Sequence, residues 1–261
     1  MSNNPVLEAL FNRKSIRKYT GEMPADEILT TIVKAGQQAP FALQLCSLLL
    51  SRDRDHNRFH APLLFTICVD SHRLEAIMGR RGWLIAMNDL SLLILGIQDA
   101  ALMAENMVIA AESLGLGSCF LGNAPYLAEE IVESYRLPKR VFPLVQLTMG
   151  YPAENPPPRP RYPLEFTLFE DQYPALSDAL IDRAIASMDN YYLTHDHYRQ
   201  KKRWIPLEGE RAETYTYDNY SWSEHISRKA GQWLPSPEEL LQQMKKCGFH
   251  ISTENDNQKQ C

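Results

Sequence analysis

Paired cysteines are missing from this chain. Its five cysteines, Cys46, Cys68, Cys119, Cys247 and Cys261, are scattered, odd in number and nowhere in a CxxC spacing. That is the usage of reduced thiols, not of a disulfide framework or a zinc site. A positive excess is missing as well: 27 Lys and Arg stand against 32 Asp and Glu, a formal net charge of −5. Nucleic acid is therefore not expected as a partner. The longest apolar runs are broken by Asn88 and Asp89 and again by Glu105 and Asn106, so neither is expected to span a bilayer. The opening MSNNPVLEALFNRKS has no charged start, apolar core and small-residue cleavage site, and a cytoplasmic location is expected. His195, Asp196 and His197 have no further ligand at a fixed spacing, and no metal is expected. Nor does any acid–base pair or activated nucleophile stand out.

What is present is an ordinary globular composition, 44% hydrophobic and 23% charged over 261 residues, enough for one large domain or for a domain with a substantial appendage. The stretch from Gln98 to Asn123 organises the rest. Ala100, Ala104, Met107, Val108, Ala111 and Leu114 predict a helix over 99–114, almost wholly covered, with Asp99 at its N-terminus and Gly115 as its stop. Its small residues let another backbone approach, including a twin helix of a second subunit. Gly115 and Gly117 then turn the chain into a short strand, Cys119 to Leu121. It ends at Gly122, where a flat ligand has access to bare backbone.

Elsewhere the pattern predicts helices over 6–11, 26–38, 126–135, 176–193, 221–229 and 236–247. Strands are expected over 48–50, 62–69 and 141–149, the second of them suited to a sheet covered on both faces. Residues 71–97 stay open between helical and irregular, with no function assigned. Residues 194–220 read as a polar, tyrosine-rich loop, and 252–261 as a frayed end.

Two places carry cations in a form that suits an anion. Arg13, Lys14, Ser15 and Arg17 lie within five residues, and guanidinium groups make forked bonds to phosphate oxygens. A solvated basic turn is the plain alternative. Arg159 and Arg161 ride on PAENPPPRPRYP, which cannot be helix or interior strand and should form a stiff, extended arm. There the plain alternative is a linker.

RKSIRKYT at 13–20, the Gln44-to-Ser47 region, DAALMAENMVIAAESLGLGSCFLG and MGYPAENPPPRPRYP together resemble the FMN-dependent nitroreductase superfamily, in its oxygen-insensitive, NADPH-dependent nitroreductase and flavin reductase branch. MDNYYLTHDHYR with YSWSEHISRK resembles the C-terminal extension of that branch. The resemblance implies an α+β fold, a mainly antiparallel sheet sandwiched by helices, in an intertwined homodimer with FMN at each of two subunit interfaces. It implies a core at 1–170, an extension at 171–251 and a tail at 252–261. By the same resemblance Arg13, Lys14, Ser15 and Arg17 contact the FMN phosphate and ribityl chain, and Arg159 and Arg161 return to that phosphate. Pro40, Phe41 and Ala42 approach FMN across the dimer, Gln44 belongs to the same region, and Leu121 and Gly122 lie at the isoalloxazine ring. Leu45, interposed before Cys46 and Ser47, departs from the branch's Gln-Cys-Ser. Lys201, Lys202, Arg203 and Arg211 are candidates for the 2′-phosphate of NADPH.

The activity implied is ping-pong transfer from NADPH through FMN to a nitroaromatic, quinone or flavin acceptor, with the flavin carrying the chemistry and no catalytic side chain. A specialised flavin enzyme, such as a reductive dehalogenase or metabolite dehydrogenase, and a flavin-binding dimer without turnover remain the alternatives. Cys46 and Cys119 are expected to be inert.

Overall fold

A computed structural model describes residues 4–233 and 235–251; the end expected to be frayed, 252–261, lies outside the described residues. The contacts divide the chain into two compact units: residues up to Pro158 together with those from Ser236, and Arg159–Pro235. The boundary read from the sequence, after residue 170, differs from this. The last helix groups with the first unit because Cys247 and Phe249 are buried there against Val69, Leu93 and Phe142.

In the first unit α1 (Pro5–Asn12) and α2 (Asp26–Gln37) precede β1 (Cys46–Ser51), β2 (Leu63–Asp70) and α3 (His72–Arg80). Then come α4 (Asp89–Ser113), β3 (Gly117–Leu121), α5 (Ala128–Tyr135) and β4 (Val141–Gly150). The sheet order is β1-β2-β4-β3 with every neighbour antiparallel. Leu48 faces Ile67, Thr66 faces Gln146 and Cys119 faces Thr148. All eight residues of β2 are buried, which is why its sequence is apolar without alternation. The main core joins Ile32 of α2 and Met103, Met107 and Ala111 of α4 to Phe65, Ile67 and Leu147 of the sheet.

The central helix is longer than its pattern suggested. It starts ten residues early, at Asp89, because Asn88 is its cap, the side chain accepting from Ser91 N at 2.9 Å. Residues that interrupt an apolar run are here a cap and a first-turn acid. Gly96 does not break the helix. A Cβ there would lie 2.4 Å from Val69 Cγ1, so the missing side chain lets α4 seat on β2. Leu90, Ile94 and Ile97, ahead of the expected range, are exposed, and within 99–114 Leu102 and Leu114 are exposed too, so the expected near-complete coverage fails there. The first three, spaced four and three apart, form one stripe. By length and composition α4 alone among the described residues is apolar enough to cross a membrane, and half of its most apolar window is buried inside the protein.

The second unit holds α6 (Asp178–Thr194), α7 (His197–Gln200) and α8 (Trp222–Gly231); α9 (Pro237–Lys246) follows in the first. The 194–220 stretch, read as loop, supplies much of its core: Tyr198 and Tyr220 are buried beside Tyr192 of α6, with Trp204, Tyr215, Tyr217 and Trp222 around them. At their centre lies Arg228, only 3% exposed. It is paired through Nη1 and Nη2 with Glu213 at 2.6 and 2.7 Å and through Nε with Glu224 at 2.7 Å. Its guanidinium also sits 5.1, 5.4 and 5.0 Å from the ring centroids of Trp204, Tyr215 and Tyr220.

His225 on α8 stacks on Tyr198 and shares a hydrogen bond with the Tyr220 hydroxyl. Burial first, then Arg203 and Lys229, holds its pKa below the ordinary 6.5. The unfolded chain therefore binds this proton more readily, and stability falls as pH drops through 6.5 toward the lower folded value. Thermal unfolding at pH 7.5 and 5.5 should show the second unit weaker at the acid end, and His225→Gln should flatten that difference.

Candidate functional site

The basic turn is built onto β3. Ser15 pairs in parallel with Ser118, and Ile16 N donates to Ser118 O at 2.9 Å. Ile16 is buried over Gly117, where a Cβ would meet its side chain at 2.4 Å; only glycine lets the turn lie this flush. Glu154 fixes the far end, its Oε1 accepting from the amides of Arg17 at 2.5 Å and Lys18 at 3.2 Å. Arg13 lies over the Phe120 ring at 5.9 Å, and Lys14 Nζ donates to Asn155 Oδ1. Beside them a cleft of about 510 Å³ is lined by Lys14, Glu112, Gly115, Glu154 and Asn155. Burial raises the Glu112 carboxyl above its ordinary value, with Arg13 and Lys14 opposing.

Leu121 is half-buried at the end of β3 and Gly122 exposed beyond it. A Cβ built at Gly122 would meet nothing within 4 Å, so this backbone is open to a flat group. Arg13, Lys14, Ser15 and Arg17 thus share one sheet edge with Leu121 and Gly122.

Pro40, Phe41, Ala42 and Gln44 are not there. Their loop leads into β1, the opposite outer strand of the same sheet. Three strand spacings of about 4.8 Å put the two edges about 14 Å apart. Along α4, Asp99 beside the loop and Glu112 beside the basic turn are separated by about 20 Å of helix rise. One chain therefore carries two separated sets of candidate residues.

Asp99 is not the N-terminal residue that its neighbours suggested. It is buried in mid-helix, and its carboxylate accepts from the amides of Ala42, Leu43 and Leu45 at 2.6, 3.2 and 2.8 Å. The interposed Leu45 is fully buried, and Gln44 takes up the extra residue in left-handed backbone, φ 54°. A recess of about 380 Å³ next to the loop is lined by Phe41, Gln44, Cys46, Arg73 and Met103. Burial, then the neighbouring Asp99 charge, pushes the Cys46 thiol up, the opposite of an activated nucleophile. Cys68 is pushed up to about 12, chiefly by burial, and Cys119 is buried.

In the second unit Arg159 Nη1 donates to the Tyr192 hydroxyl at 3.0 Å, with the guanidinium over that ring, and the exposed Arg161 donates to the carbonyls of Arg159 and Pro160. Lys201, Lys202 and Arg203 form an exposed turn after α7. Arg211 lines a recess of about 400 Å³ with Glu208, Glu224 and Arg228. His195 bonds the Tyr191 carbonyl, and the His197 ring packs edgewise on Tyr192. Among the described residues no cluster of three His, Cys, Asp or Glu could hold a metal ion.

Asp99 and Glu154, which fix the two segments, escaped the sequence reading. A lone acid among apolar helical residues was the signal for the first; nothing marked the second beyond its place in PAEN.

A family model described as the nitroreductase family matches residues 54–151. An oxygen-insensitive NADPH nitroreductase of Salmonella typhimurium is 32% identical over 215 residues, 77% of this chain and 88% of the relative. An FMN reductase (NADPH) of Bacillus subtilis is 29% identical over 230 residues, covering 82% and 89%. Among solved structures, B. megaterium NfrA2 superposes with a TM-score of 0.81 at 25% identity over 96% of this chain and 100% of its own. The NADPH:FMN oxidoreductase of Vibrio harveyi complexed with NAD+ gives 0.72 at 25% identity over 94% and 98%.

Proposed function

Because the chain belongs to the nitroreductase family, we propose that it is an FMN-dependent NAD(P)H oxidoreductase passing electrons from NADPH to small acceptors, namely nitroaromatics, quinones or flavins. One observation carries the site assignment: the basic turn with the open Gly122 backbone and the Pro40–Gln44 loop occupy opposite edges of one sheet. A two-fold dimer brings the first set of one subunit to the second set of the other and forms two identical sites. The exposed Leu90, Ile94 and Ile97 stripe on α4 supports the same arrangement, since an apolar helix face of this kind suits burial against a copy of itself.

The residues present fit FMN. Three cations and a hydroxyl within one turn suit its phosphate, and bare backbone at Leu121 and Gly122 suits a flat ring. When bound, FMN supplies the two-electron exchange that the protein's own side chains lack. The chain's part is placement: Arg13, Lys14 and Arg17 favour anionic groups, and amide dipoles at the end of β3 stabilise negative charge on the ring. Arg159 and Arg161 remain assigned to the phosphate by likeness to the family, and Lys201, Lys202, Arg203 and Arg211 to the 2′-phosphate of NADPH. Four free cysteines among the described residues fit a reducing, cytoplasmic setting.

Stopped-flow reduction of the FMN-reconstituted protein by NADPH and by NADH, in parallel, tests the reading. Loss of flavin absorbance with NADPH, at least tenfold faster than with NADH, is the expected result. Bound FMN that neither nucleotide bleaches would make the protein a flavin carrier and overturn the assignment as an oxidoreductase.

A further inference from the structure

The loop between α2 and β1 is gripped from two sides by charged side chains. From α4, the Asp99 carboxylate takes the amides of Ala42, Leu43 and Leu45. From α3, Arg73 Nη2 donates to the carbonyls of Gln44, at 3.4 Å, and Cys46. Arg73 is itself held by Asp70 at 2.9 Å, and Asp70 N donates to Leu45 O at 2.9 Å. Backbone polar groups of a connecting loop ordinarily face water; here they are fastened to the protein, with Gln44 kept in left-handed backbone. A carboxylate on an apolar helix face is tolerated only with its oxygens satisfied, and Asp99, 3% exposed, has one loop to satisfy them. What the grip leaves outward are Phe41, 57% exposed, Ala42, Leu43 and Gln44.

We infer that Asp99, backed by Arg73, is a positioning residue of the flavin site, holding loop 41–46 so that Phe41, Ala42 and Gln44 meet the cofactor bound to the basic turn of the second subunit. This rests on the function proposed above. Preorganisation is the gain: a loop already fixed loses little conformational freedom when the ligand arrives. Asn in place of Asp99 keeps the size but removes the charge and turns one acceptor oxygen into a donor facing amide N–H groups.

The test compares full-length parent, Asp99→Asn, Arg73→Met and the core control Met107→Ala, each as apoprotein titrated with FMN by fluorescence quenching. Hydrogen exchange over peptide 40–46 is followed in the same samples before FMN is added. Met107 is fully buried on α4, about two helical turns beyond Asp99, so it reports what plain loss of core packing on the same helix does. Faster exchange in D99N and R73M, with FMN dissociation constants raised at least tenfold against at most threefold in M107A, is the expected result. Unchanged exchange, or faster exchange with FMN affinity no weaker than in M107A, overturns the positioning role. Should D99N fail to fold, R73M decides alone by the same criteria. A parent protein that does not bind FMN overturns the proposed function and the positioning role with it, even where exchange shows the grip.

Discussion

Ile97→Asp is expected to convert the protein to a monomer and to weaken FMN binding at least a hundredfold, about 2.7 kcal/mol, although residue 97 belongs to neither candidate set. Ile97 stands in the exposed stripe of α4 with Leu90 and Ile94. In the monomer an aspartate there stays in water and leaves the fold intact, as circular dichroism would show. In the proposed dimer it would be buried without a partner, a penalty of several kcal/mol on each side. The basic turn and the Pro40–Gln44 loop lie at opposite edges of the sheet, so on the proposed reading each subunit alone keeps half a site, and FMN affinity is expected to fall together with association. Sedimentation equilibrium beside FMN titration reads both. A variant that stays dimeric, or a monomer with parental FMN affinity, would contradict the shared site.

Arg228→Ala is expected to lower the stability of the second unit by about 1.5–3 kcal/mol, the range for hydrogen bonds to a charged group. The Glu213 and Glu224 side chains stay 39% and 21% exposed, so no charge is left stranded in the core. The substitution removes four bonds, to Glu213 twice, to Glu224 and to the Ile205 carbonyl. It also leaves a void among Trp204, Tyr215 and Tyr220. Glu213 closes the stretch that carries Arg211, so the loop assigned to NADPH should loosen too. An early unfolding transition in calorimetry, with a raised KM for NADPH and little change in FMN affinity, is the signature. Arg228→Lys keeps the charge but not the fork, and should recover only part of the loss.

The strands and most helices were legible in the sequence because their periodicities are local: β2 as an unbroken apolar run, α2 by its stripe, β3 from its glycine-flanked apolar run; α3 and α7 were not, lying in stretches left open or read as loop. Legibility ended where a residue's meaning depends on a distant partner. Asn88 and Asp89 looked like interruptions because a cap and a break share the same letters. Asp99 looked like a helix start because its real partners, the amides of 42–45, are remote in sequence. The 194–220 stretch looked like loop because its tyrosines have no period; Tyr215 and Tyr220, with Trp204, meet Arg228, whose burial no local pattern signals. The phosphate candidates were read first as clustered cations, with a solvated turn or a linker as the plain alternative, and family likeness alone tied them to FMN; the structure adds that Arg13 to Arg17 are seated on β3 by Gly117 and Ile16.

Residues 159–235 leave the first unit at one point of the chain and rejoin it at another, since Cys247 and Phe249 pack back beside Phe142. Such an insertion is tethered at both ends. A single protease nick within it should free no peptide: two bands would appear on a denaturing gel while the native particle keeps its mass.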